Sequence, residues 1–104
     1  MATKTEILGK LEKVMDPELG INIVDLGLIY KVAVEKKEGG RPQKAYVEMT
    51  FTTPACPLLN MILNDVKERL DELPGMDIEV KVVFDPPWTP DRMSEKAKIK
   101  LGML

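Results

Sequence analysis

The chain of 104 residues carries 44% apolar and 31% charged residues with a formal charge of -2, a composition suited to one folded core and too apolar for a disordered segment. Lysines and glutamates are interspersed, so no basic stripe is offered to a phosphate backbone and nucleic acid is excluded as an expected partner. Histidine is absent and cysteine occurs once, which removes Ser-His and Cys-His catalysis, imidazole ligands and any intrachain disulfide.

The start, Met1-Ala2-Thr3-Lys4, lacks the apolar run of a signal peptide, and no later stretch approaches the about eighteen continuous apolar residues of a membrane span. A cytoplasmic protein with no membrane partner is expected. Thr3 followed by Glu6 matches a capping box, and Ile7, Leu8, Leu11, Val14 and Met15 recur on one helical face, predicting a helix over residues 4 to 15. Asp16-Pro17 stops it, because proline disfavours helical backbone in the residue before it. Residues 16 to 27 read as a structured loop.

Leu28, Tyr30, Val32 and Val34 alternate with Ile29, Lys31, Ala33 and Glu35. After Gly39-Gly40-Arg41-Pro42, residues Ala45, Val47, Met49 and Phe51 alternate with Lys44, Tyr46, Glu48 and Thr50, which predicts an antiparallel hairpin. From Pro57 onward Leu59, Ile62, Leu63, Val66, Leu70 and Leu73 fall at helical intervals, and Pro74-Gly75 ends that helix. Ile78, Val80, Val82 and Phe84 alternate as a third strand, so strand, helix and strand form a parallel crossover. Thr89 and Pro90 read as the N-cap and first position of a short last helix that stops near Gly102. The order αββαβα predicts a single two-layer α+β domain over residues 1–104. Its three-stranded mixed sheet carries the helices on one face and turns a polar face to water or a partner.

Thr52-Thr53-Pro54-Ala55-Cys56-Pro57 joins the second strand to the second helix. With Pro57 in the first helical position Cys56 becomes the N-cap, where the N–H groups of Leu58 and Leu59 and the helix dipole favour a thiolate. A thiolate binds iron or attacks an electrophile. A buried structural thiol is the bland alternative, but a junction between two prolines is an unusual place for one. In Asp16-Pro17-Glu18-Leu19-Gly20 two carboxylates flank a proline, offering hard ligands or proton acceptors on one reading and an ordinary turn on the other. Asp25 is equally able to bond local backbone. Trp88 reads as an anchor for the last helix.

Taken in order, Asp16-Pro17-Glu18-Leu19-Gly20, Asp25-Leu26-Gly27-Leu28-Ile29-Tyr30, Thr52-Thr53-Pro54-Ala55-Cys56-Pro57 and Asp85-Pro86-Pro87-Trp88-Thr89-Pro90 resemble the signature segments of the metal-sulfur cluster assembly family of the PaaD and SufT type. The resemblance covers nearly the whole chain. It implies a fold similar to the C-terminal domain of NifU-type scaffolds and a role in maturing iron-sulfur proteins. By the same resemblance Cys56 is the metal-binding cysteine, with Asp16, Glu18, Thr52 and Thr53 as its neighbours.

Unlike the NifU pattern, this chain has no Cys-x-x-Cys pair, and one thiolate cannot supply the four that a common cluster uses. The cofactor expected is therefore a transient iron-sulfur cluster, shared between two subunits or completed by a client apoprotein or small thiol. Expected partners are the assembly machinery, client apoproteins and a homodimer mate. Two other roles compete with this one: an adaptor module that binds no cluster, and a thiol enzyme using Cys56, which would lack both histidine and a resolving cysteine.

Overall fold

The computed structural model describes residues 3–35, 39, 43–52 and 57–102. The first helix, α1, spans Lys4–Leu11, and the Thr3 hydroxyl accepts from the Glu6 N–H at 3.2 Å as the capping pattern predicts. It ends four residues earlier than the apolar spacing suggests. The N–H groups of Lys13 and Val14 fall back to the carbonyls three residues before them, a tightened last turn that frees the chain to become extended before Pro17. Val14 is fully buried, so the helix-like spacing records burial and not helix.

Where a loop is predicted there is a small second sheet. Met15–Asp16 (β1) pairs antiparallel with Ile21–Asn22 (β2). Strands of two residues have no period to detect, which is why this hairpin escapes the alternation that marks the others.

The main sheet has the order β3-β4-β5. β3 (Ile29–Val34) runs antiparallel to β4 (Gln43–Met49), and β4 runs parallel to β5 (Met76–Val82), with α2 (Leu59–Asp71) as the crossover. A register shift between Ile29 and Lys31 leaves Tyr30 on a bulge. The predicted three-stranded mixed sheet is thus the observed one. Its inner face supplies Val32, Ala45, Val47 and Met49 to a contiguous core completed by Ile7 and Leu11 of α1 and Ile62, Val66 and Leu70 of α2.

The final segment is divided. Thr89 does precede Pro90, but these begin a short 3-10 turn, Pro90–Arg92, and a separate helix α3, Glu95–Lys100, follows with Ser94 as its cap. The Ser94 hydroxyl accepts from the Ala97 N–H at 3.2 Å, and Met93 and Ala97 are buried in the core. Among the described residues no helix is long and apolar enough to cross a membrane.

Candidate functional site

Because β3 is antiparallel and β5 parallel to β4, one end of the sheet gathers the start of β3 and the exits of β4 and β5. Backbone bonds continue the ladders there: Thr50 N–H donates to Leu28 O and Val83 N–H to Met49 O, each at 2.8 Å. Two of the four motif segments, 25–30 and 85–90, meet at this end, and Thr52 follows the exit of β4. In an α/β crossover the carboxyl ends of the parallel strands are where binding loops collect.

The segment from Asp85 to Trp88 closes over Asp25–Tyr30. Trp88 Nε1 donates to Leu26 O at 2.7 Å and the Tyr30 hydroxyl to Pro86 O at 2.9 Å. The Arg92 guanidinium lies 4.5 Å from the centre of the Tyr30 ring, within cation–π range. Gly27 has a φ of +77°, and a Cβ built on it would come within 2.3 Å of Arg92 O. Only glycine satisfies both the left-handed backbone and that approach. Trp88 is therefore an anchor, as its half-apolar, half-polar chemistry suggests.

Asp16 is buried, and its Oδ1 accepts from the N–H of Glu18 at 2.9 Å and of Leu19 at 3.4 Å. That carboxylate closes the β1–β2 turn, the structural use of an Asp-Pro pair. Glu18 is exposed. Asn22 and Asp25 form a reciprocal pair, Asn22 Nδ2 donating to Asp25 Oδ2 at 2.8 Å and Asp25 N–H to Asn22 Oδ1 at 2.9 Å. The turn is tied to α3, whose Lys100 Nζ donates to Gly20 O at 2.6 Å.

Thr52 is exposed just beyond β4. Thr53 and Cys56 lie outside the described residues. No hydrogen bond among the described residues joins Asp16 or Glu18 to Thr52. Nor, among the described residues, do three acidic, histidine or cysteine side chains gather around a common point.

The helix boundary corrects one expectation. α2 begins at Leu59 with Leu58 as its N-cap, and Pro57 and Leu58 form a turn before it, so Cys56 is not the cap and Pro57 is not the first helical residue. A proline and a leucine followed by helix formers carry no signal that distinguishes the two starts. Leu58 provides no side-chain cap, and the first turn contains no acidic residue. Thr50 is a further polar residue that the alternation hides: it is fully buried at the end of β4, its hydroxyl donating to Phe51 O at 3.4 Å.

Comparison with known proteins bears on the whole arrangement. Residues 4–82 match the family described as iron-sulfur cluster assembly protein. The chain is 48% identical over 103 residues to the Fe-S protein maturation auxiliary factor YitW of Bacillus subtilis (strain 168), covering 98% of this chain and 96% of that one. It is 50% identical over 91 residues to the Fe-S protein maturation auxiliary factor SufT of Staphylococcus aureus (strain USA300), covering 86% and 98%. A conserved hypothetical protein of Thermotoga maritima has the same fold, with a TM-score of 0.81 at 42% identity over 97% of this chain and 95% of that one. The sequence motifs, the β3-β4-β5 sheet with its α2 crossover and these relatives agree: the chain belongs to the iron-sulfur cluster assembly protein family.

Proposed function

We propose that this chain is a maturation factor for iron-sulfur proteins that takes up a cluster as cargo on the thiolate of Cys56 and hands it to an apoprotein. The observation that carries the reading is the amino end of α2, a helix of 13 residues whose N-cap Leu58 provides no side-chain cap and whose first turn contains no acid. The first N–H groups of a helix have no intrahelical acceptors, and with the positive end of the dipole they favour an anion. Cys56 immediately precedes Pro57 in sequence, and a thiolate is the anion that the sequence supplies there.

Thr52 and Thr53 offer hydroxyl donors to sulfur, a recognised way of tuning a cluster. Asp16 and Glu18 complete the proposed surroundings, Glu18 having the freer carboxylate because Asp16 is engaged in its turn. One thiolate leaves coordination positions open, and an exchangeable position suits transfer better than storage. The remaining ligands come from a client, a small thiol or another copy. A lone cysteine that must stay reduced fits the cytoplasm.

Anaerobic loading of wild type and Cys56→Ala with ferrous iron and sulfide tests the reading. Wild type should gain sulfide-to-iron charge-transfer absorption and bound iron, and the variant should gain neither. Equal iron uptake by both proteins would remove Cys56 from the mechanism. Client maturation by Cys56→Ala at the wild-type level would favour the adaptor role instead.

A further inference from the structure

The face of the sheet opposite the helices carries three rows of side chains across β3, β4 and β5. At one end Glu35 lies beside Lys44, its N–H donating to Lys44 O at 2.9 Å, and Lys44 lies beside Asp77. In the middle Ala33, Tyr46 and Glu79 are in register, and at the other end Lys31, Glu48 and Lys81. The end rows therefore read minus, plus, minus and plus, minus, plus. The ion pairs among the described residues join Lys10 to Glu72 and Arg69 to Asp65 and Glu72, so among those residues none of these seven charges forms an ion pair within the chain. A shallow hollow of about 740 Å³ opens over the Glu35, Lys44 and Asp77 end.

We propose that this face docks a second copy of the chain, about a two-fold axis that runs across the strands through Tyr46. Such an axis keeps each strand opposite its own counterpart and exchanges the two ends. Glu35 then faces Lys31 of the second copy, Lys44 faces Glu48, and Asp77 faces Lys81. Symmetry doubles these to six opposite-charge contacts, with Tyr46 stacked on Tyr46 near the axis. Glu79 meets Glu79, the single like-charge contact.

Turning the axis parallel to the strands gives the opposite result. It places Glu35 on Asp77, Lys31 on Lys81, Lys44 on Lys44 and Glu48 on Glu48, all repulsive. The charge pattern thus matches itself under one two-fold operation and rejects the other, which is what an isologous interface requires and an unrelated partner does not. The strands of the two sheets run in opposite directions in this pair. Consequently the carboxyl ends of the two β4 strands point apart. Such a pair does not bring the two β4 exits together.

Three strands spaced about 4.8 Å apart give a face roughly 14 Å wide and about 20 Å long. That is well under the about 800 Å² per partner of a standard stable complex, so the dimer is weak and depends on salt. Sedimentation velocity at high protein concentration should show dimer at low ionic strength and monomer in strong salt. Lys44→Glu, with its fold verified by circular dichroism, should weaken the dimer by about tenfold or more, because it sets carboxylate against Glu48 twice.

A variant-free measurement completes the test. Equal amounts of ordinary and nitrogen-15 protein are treated with a carbodiimide, which joins a lysine directly to a carboxylate. Lys44–Glu48, Lys31–Glu35 and Lys81–Asp77 lie four residues apart on one strand, about 13 Å along it, too far to join within a chain. These links should appear with mixed isotope masses. Monomer at every salt concentration, or mixed-isotope links confined to other pairs, would overturn the proposal. Neither readout involves iron or Cys56, so its failure is separable from that of the cluster-transfer reading.

Discussion

Replacing Gly27 with alanine isolates the contact that holds the C-terminal segment over the site. Two costs arise. A residue other than glycine in the left-handed region costs about 1–2 kcal/mol. In addition, the new Cβ would lie 2.3 Å from Arg92 O and 2.7 Å from Arg92 C, and no rotamer change can move backbone atoms. The segment must withdraw, which puts at risk the Trp88–Leu26 and Tyr30–Pro86 hydrogen bonds, about 1 kcal/mol each. The expected loss is about 3–4 kcal/mol, a large part of the about 5–15 kcal/mol that small domains possess.

Gly75 supplies the internal control. Its φ is +69° but nothing among the described residues lies within 4 Å of a built Cβ, so Gly75→Ala should lose only the conformational cost of about 1–2 kcal/mol. Gly9 is within α1 and equally open, so Gly9→Ala should stabilise by up to about 1 kcal/mol. Urea denaturation followed by the fluorescence of Trp88, the one tryptophan, measures all three. If Gly27→Ala lies within about 1 kcal/mol of Gly75→Ala, less than the two hydrogen bonds at stake, the closure of the C-terminal segment over Gly27 is not rigid and the argument fails.

Trp88→Phe removes the donor to Leu26 O and should cost about 1–2 kcal/mol, with faster amide exchange over residues 25–28 as the local sign. Asp16→Ala should cost about 1–2 kcal/mol through the loss of two N–H partners, whereas Asp16→Asn retains an acceptor and should be nearly neutral; loss of iron uptake in a stably folded Asp16→Asn would instead assign that carboxylate to the metal. The hydrogen bond and charge of Lys10, 2.7 Å away, hold the Glu72 carboxyl below its ordinary range. A depressed carboxylate stabilises the fold above its unfolded pKa and ceases to do so as the pH falls through its folded value. Lys10→Met should therefore have a lower urea midpoint than wild type at neutral pH, a difference that vanishes once Glu72 is protonated, and a constant difference across that range would refute the coupling.

The main sheet and α2 are legible in the sequence because each has a long apolar period with one buried face, from Ala45 to Phe51 and from Leu59 to Leu70. What escapes has no period. β1 and β2 are two residues each, and their pairing buries Val14 and Ile21 by a route that local spacing cannot reveal. The same holds for the last segment, where one predicted helix is two short elements with caps at Thr89 and Ser94. For the site, sequence identifies the motif segments but leaves the use of Asp16 and Asp25 open between ligand and local turn, and in the fold both carboxylates bond local donors. Long-range contacts such as Lys100 with Gly20 follow from topology alone.

The two proposals bear on each other through strand direction. If a cluster were held between Cys56 side chains of two copies, the carboxyl ends of both β4 strands would have to converge, whereas the charge rows favour a pair in which they diverge. The same molecule cannot satisfy both with one interface. A face that pairs copies while leaving each β4 carboxyl end outermost keeps both exits available to separate clients, and it leaves the missing cluster ligands to be supplied by whatever docks there. Cys56→Ala should then leave the salt-dependent association intact, and Lys44→Glu should leave iron loading intact. Coupled loss in either variant would mean that the cluster is itself part of the dimer contact, and the strand-crossing axis would have to be abandoned.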